Sequence, residues 1–218
     1  MKRILLFLAI TLSSFLMISC SSNSEKKVDE ITTKEDSVLN QKQVEIAEHQ
    51  DIRLKFNDVH IALLQDEFKG GTTIEELKTL FGDPTTIEQE SAGQVTLDVY
   101  KWQFDNVEVT VKLYENSTVV RSISNFSFIR KATISKETYN DIADGTSYLE
   151  VKQVLGEPDV LSEVSSSDGR EIQAIWISGL KSDGVATVEM FFNQDGLISK
   201  EQSGLKEENT EKKEKKDK

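Results

Sequence analysis

Residues 71–84, Gly-Thr-Thr-Ile-Glu-Glu-Leu-Lys-Thr-Leu-Phe-Gly-Asp-Pro, are answered 74 positions later by residues 145–158, Gly-Thr-Ser-Tyr-Leu-Glu-Val-Lys-Gln-Val-Leu-Gly-Glu-Pro. Six of the 14 aligned pairs are identical, and most of the others are conservative. The same offset places Trp102 on Trp176, and the match uses both prolines and both tryptophans of the chain. A correspondence of that kind is read as an internal repeat rather than as chance.

Each copy spells a helix with its own start and stop. Thr73 and Ser147 are N-cap residues, and Glu76 and Glu150, three positions on, complete capping boxes. Ile74, Leu77, Leu80 and Phe81 line one helical face, as do Tyr148, Val151, Val154 and Leu155. Gly82 and Gly156 stand where a left-handed residue ends the helix, and Pro84 and Pro158 forbid its continuation. A short helix is expected before each, near 54–59 and 135–142.

Outward from the helices the correspondence continues with length differences. Phe56–Val59 matches Tyr139–Ile142 at an offset of 83, so the first copy carries nine extra residues, His60 to Phe68. Val119–Val120 matches Leu197–Ile198 at an offset of 78, which places extra residues of the second copy near 179–184. Both differences are expected in loops. Val107, Val109, Val111 and Leu113 alternate with polar residues, the pattern of a half-buried strand. Asn193-Gln194-Asp195-Gly196 reads as a hairpin turn between 188–192 and 197–201. The expected fold is therefore α+β: two tandem repeats, 51–128 and 129–205, each a short helix pair packed on a three- to four-stranded antiparallel sheet. The short link 127–133 points to close contact between them.

The pattern Gly-Thr-(Ser/Thr)-x-x-Glu-(Val/Leu)-Lys-x-(Val/Leu)-(Leu/Phe)-Gly-(Asp/Glu)-Pro, followed by a Trp strand and a hairpin, resembles the β-lactamase-inhibitor-protein-like repeat. In particular it resembles the domain of unknown function found, often in tandem, in Gram-positive lipoproteins. It is more distantly similar to the SmpA/OmlA lipoproteins of outer-membrane assembly. The resemblance covers about residues 51–205. It implies a helix pair on an antiparallel sheet in each repeat and carries no catalytic residues, since such a fold hosts inhibitors, assembly factors and proteins of unknown role.

The N-terminus has the form of an export signal. Lys2 and Arg3 precede an apolar run of 15 residues, Ile4 to Ile18. A membrane span needs about 20 residues, so the run fits the core of a secretory signal. It ends in Leu16-Met17-Ile18-Ser19-Cys20, which resembles a lipobox, with Met17 where leucine is usual. Residues 1–19 are expected to be removed and Cys20, the only cysteine, to carry lipid. Residues 20–50 follow as a polar tether, with a frayed helix near 41–49, and 206–218 as a disordered tail of six lysines and five acidic residues. The expected location is the extracytoplasmic face of the cell membrane, held by the lipid.

Charge and motifs narrow the chemistry. Without residues 1–19, 24 basic residues face 38 acidic ones, a net charge of −14. That argues against nucleic acid, whose phosphates need a basic footprint. A Cys/His zinc site is excluded by a single lipid-committed cysteine and two histidines, His49 and His60, both expected to face solvent. No Gly-x-Ser-x-Gly elbow, phosphate loop or dinucleotide fingerprint occurs, so no cofactor, no metal and no enzymatic activity is assigned. Asp83 and Glu157, equivalent in the two copies, are given a structural role in the turn.

The candidate binding surface is aromatic: Tyr100, Trp102, Phe104, Trp176 and Phe191. The alternative for the two tryptophans, core packing beneath the helix, is favoured because both copies place them identically. The leading functional expectation is a non-enzymatic module that binds an envelope or extracellular protein or helps assemble the envelope. The alternatives are an inhibitor of an envelope or cell-wall enzyme, by family analogy, a cell-wall hydrolase using unrecognised carboxylates, and a structural or stress-response surface component.

Overall fold

The computed structural model describes residues 47–207. The expected export signal, Cys20, the expected tether up to residue 46 and the expected tail from residue 208 lie outside the described residues. The chain begins with α1 (Gln50–Lys55), which runs into a single 3-10 turn at 56–58. A second 3-10 turn at 64–66 leads to α2 (Ile74–Phe81), then β1 (Thr86–Ala92), β2 (Val95–Phe104), β3 (Val107–Tyr114) and β4 (Ser117–Ser124). The second half repeats the order with α3 (Lys136–Asp141), α4 (Tyr148–Leu155), β5 (Val160–Ser166), β6 (Gly169–Trp176), β7 (Thr187–Asn193) and β8 (Gly196–Ser203).

The expected pair of helix-on-sheet units is corrected by the strand pairing. All eight strands form one antiparallel sheet in the order β1-β2-β3-β4-β5-β6-β7-β8, and the chain is mostly β. The join is β4 against β5, where Val120, Arg121, Ser122 and Ile123 pair with Val164, Glu163, Ser162 and Leu161. Two separate sheets would have left both strands with a row of unpaired N–H and C=O groups. Pairing them satisfies both rows. Alternation tells which face of a strand is buried, and it is the same whether or not that strand's edge is taken.

The capping signals read from the sequence describe α2 and α4 well. Thr73 and Ser147 accept from the backbone N–H of Glu76 and Glu150, and both capping boxes are complete. Lys78 pairs with Asp83 at 3.1 Å and Lys152 with Glu157 at 3.1 Å, each tying a helix to the turn after it. The first glycine of the motif serves two different ends. A Cβ on Gly71 would lie 2.5 Å from the Thr118 carbonyl oxygen, whereas Gly145 has open space but φ of +80°.

Other expectations shift. The first helix starts at Gln50, with Ala47 already buried, so the fold takes in the last residues of the supposed tether. The extra residues 60–68 are packed rather than loose. Ala62 donates its N–H to Thr118 at 2.7 Å, and Phe68 meets Tyr114 edge-on beside a small cluster of Ala92, Leu97, Val119, Val120 and Val164. At the other end Lys206 reaches Asp183 and Glu207 reaches Lys136, each at 2.7 Å.

The helices cover one face of the sheet, and the main core is shared by both halves. Ile52, Leu77, Phe81, Tyr139, Val151 and Leu155 from the helices meet Trp102, Val109, Ile123, Leu161, Ala174, Trp176 and Met190 from the strands. The two indoles sit alike: Trp102 Nε1 donates to the Gly82 carbonyl at 2.9 Å and Trp176 Nε1 to the Gly156 carbonyl at 3.0 Å. The helix-ending glycine and the strand tryptophan are thus one device, since the orphan carbonyl of the helix end is satisfied by the indole.

The seam between the halves is ionic. Arg53 on α1 is fully buried; it donates to the Pro158 carbonyl at 2.8 Å and to Asn57 at 2.8 Å, and it pairs with Glu157 at 3.3 Å. Burial pulls its guanidinium down from the ordinary range, and Glu157 opposes that. Buried Glu163 on β5 receives Arg121 from β4 and Arg170 from β6. Asp159, also buried, accepts from the backbone N–H groups of Phe128 at 2.8 Å, Ile177 at 2.7 Å and Ser178 at 2.9 Å, and pairs with Arg130 at 3.0 Å.

Asp159→Ala would strand three backbone donors and leave Arg130 without its buried partner. The expected cost is about 3–5 kcal/mol, read as a lower urea midpoint. Beside this seam the Tyr148 hydroxyl is buried with no hydrogen bond, and burial, with Glu157 nearby, pushes its ionisation above the ordinary range. A group whose folded pKa is raised gives its full stability below the unfolded value, roughly pH 10 for tyrosine, and loses it as pH rises further. Tyr148→Phe is expected to be neutral or stabilising at pH 7 and to lessen the fall in stability above roughly pH 10, measured by urea unfolding across pH 8–11.

Candidate functional site, the open face of the sheet

The two faces of the sheet differ along a single pair of residue rows. On the helix side, register aligns Trp102, Val109, Ile123, Leu161, Ala174 and Met190, every one of them buried. One position along each strand, the outer side aligns Thr86, Lys101, Thr110, Ser122, Ser162, Gln173, Phe191 and Ser199. None of these eight is buried. The row crosses the β4–β5 join without a break, so residues from both halves share it; two residues further along, the same side carries Val99, Val120 and Val164, buried in and beside the small cluster with Phe68.

Its charge is uneven. On the first half, Lys101 pairs with Glu88 at 3.3 Å and Lys112 with Glu90 at 2.6 Å. On the second half, Glu171, Glu189 and Glu201 share the outer side of β6, β7 and β8 with Phe191. Gln173 donates to Glu189 at 2.5 Å, which fixes the polar rim beside that phenylalanine. At the middle of the row the side chains are small, Thr110, Ser122 and Ser162, so an incoming group can approach the backbone there.

The five aromatic residues singled out from the sequence are divided by the fold. Trp102 and Trp176 are buried beneath the helices and unavailable to a partner. Tyr100 and Phe104 are half-buried on the same helix side as Trp102, with ring centroids 6.3 Å from Trp102 and 6.5 Å from Phe81 respectively. Burial, with Asp98 beside it, pushes the Tyr100 hydroxyl up. Phe191 alone of the five stands on the outer face, half-buried. The surrounding Ser, Thr, Gln and Glu were not singled out in the sequence, because a polar residue in an alternating strand is also what plain solvent exposure looks like.

The histidines part company too. His60 is exposed, but His49 is half-buried and bonded to Asp105 at 2.7 Å, against the expectation that both face solvent.

Among curated proteins none matches the chain. A solved structure from Streptococcus mutans, described as a "putative beta-lactamase inhibitor protein", is 48% identical, with a TM-score of 0.71. The match covers 73% of this chain and 99% of that one. The model of a family described as a domain of unknown function with a solved structure, DUF3862, matches residues 48–205. The chain belongs to that family.

Proposed function

We propose that this protein is a non-enzymatic binding module that grips an extracytoplasmic protein through the outer face of its sheet and is held at the membrane by lipid on Cys20. The observation that carries the reading is the outer row from Thr86 to Ser199, unburied across all eight strands and continuous over the join of the halves. The two halves, 51–128 and 129–205, are duplicated units whose fused sheets supply the width. Phe191 is the apolar anchor and the glutamates around it select a partner with basic residues. A second reading, inhibition of a secreted or envelope enzyme, is favoured by the neighbour from Streptococcus mutans and its description. The family likeness to an inhibitor also supports the absence of enzymatic activity.

Two assays separate the readings. The full chain in mild detergent is titrated into purified β-lactamases, and separately used to capture envelope and secreted proteins of its own cell. Phe191→Asp is expected to weaken the relevant complex at least about tenfold, roughly 1.4 kcal/mol, while Leu149→Asp, on the exposed side of α4, leaves it unchanged. Inhibition with this sensitivity establishes the inhibitor reading. Capture with this sensitivity and no inhibition establishes the binding or assembly reading. A complex indifferent to Phe191→Asp, or no complex at all, overturns the role given to the outer face.

A further inference from the structure

We propose that Glu48, His49 and Asp105 form a binding site for a divalent transition-metal ion such as zinc, at the point where the tether enters the fold. One imidazole nitrogen and two carboxylate oxygens lie within 4.8 Å of one another. His49 Nε2 is 2.7 Å from Asp105 Oδ2 and 4.0 Å from Glu48 Oε1. Zinc ligands at about 2.0–2.1 Å in a tetrahedron stand roughly 3.3–3.4 Å apart. These two separations bracket that value and the third lies within 4.8 Å, so closing on an ion needs side-chain shifts of about an ångström. Imidazole with carboxylates is a donor set that suits zinc.

The three ligands come from two places 56 residues apart in sequence, the entry to α1 and the turn between β2 and β3. Both anchoring residues hold backbone conformations that glycine adopts most easily, with φ of 58° at His49 and 50° at Asp105. At Asp105 that conformation belongs to the two-residue hairpin turn between β2 and β3. Phe104, its ring 6.1 Å from that of His49, shields one side of the imidazole. The three ligands also line a pocket shared with Asn106 and Asn125. The sequence excluded a zinc site built from cysteines and histidines and assigned no metal; this site instead sets one histidine beside two carboxylates, and it arises only when the fold brings Asp105 to His49. Its consequence is mechanical, since a bound ion fastens the tether to the β2–β3 turn. It does not depend on the partner proposed for the sheet.

The test is calorimetric titration of zinc into the full chain in mild detergent. One saturable site is expected, together with a rise in melting temperature on adding zinc. Glu48→Gln, at an exposed position that cannot disturb the fold, and His49→Ala are each expected to weaken binding at least about tenfold. His60→Ala, which removes the other histidine, leaves it unchanged. X-ray absorption of the bound zinc should show nitrogen and oxygen ligands at about 2.0–2.1 Å. No saturable binding up to roughly 1 mM zinc, or affinity that survives both Glu48→Gln and His49→Ala, would overturn the proposal.

Discussion

The pairing of β4 with β5 is the constraint on which the molecule depends. Four residue pairs, from Val120–Val164 to Ile123–Leu161, turn two short sheets into one. Without them each half would expose an edge at its widest point, and an open edge invites pairing with another chain. With them, among the described residues, open edges remain only at β1 and β8. Those two strands carry Glu88, Gln89, Glu90, Lys200 and Glu201, the charged and polar residues that discourage edge-to-edge association. One core then serves both halves, so Trp102 and Trp176 stabilise the same cluster although 74 residues separate them.

Hydrophobic burial holds this join together but cannot by itself fix its register. A slide of β5 along β4 by two residues would keep apolar side chains on the helix side. The slide would, however, break the buried ions. Glu163 lies between Arg121 and Arg170 on neighbouring strands, and Arg53 caps the Pro158 carbonyl just before β5. Buried ion pairs add little net stability, because desolvation consumes most of the attraction, yet breaking one leaves an uncompensated charge at a cost of about 3–5 kcal/mol. That asymmetry penalises every register but one. Arg121 also donates to the Phe56 and Val59 carbonyls, so the same guanidinium seats the first helical segment on the join. The seam is thus a device for choosing one arrangement.

What the sequence disclosed about the fold follows the range of the interactions. Capping boxes, the glycine and proline stops, the β3 alternation and the Asn193–Gly196 turn are set within a few residues, and the structure has them in place. The joining of the sheets was not legible, because the side-chain pattern of a strand is the same whether its backbone edge is open or paired. Nor was the packing of residues 60–68, where a length difference between the copies suggested a loop but Ala62 and Phe68 are held against the strands. Arg53 and Glu163 looked like the surface charges that fill the rest of the chain, and only the fold shows that both are buried. The same blindness applies to the candidate site. Phe191 stood out as an aromatic residue, whereas Ser122, Ser162 and Gln173 were indistinguishable from ordinary exposed strand positions, and Trp102 and Trp176 stood out for a structural reason.

The fusion of the sheets also explains why the outer face can act as one surface. Neighbouring strands lie about 4.8 Å apart, so eight of them span roughly 34 Å. A standard protein interface buries about 800 Å² on each partner. A four-stranded sheet, at less than half that width, would offer a strip too narrow for such a footprint without help from its loops. In the fused sheet the middle of the strip is the join itself, where Thr110, Ser122 and Ser162 are short, and Phe191 and the acidic side chains stand to one side. Small residues at the centre let a projecting part of a partner approach the backbone, and the larger residues beside them can close on it. The ionic seam beneath the join keeps that centre fixed while the two halves supply the flanks. The structural constraint that eliminates two sheet edges and the surface proposed for binding are in this way consequences of the same four residue pairs.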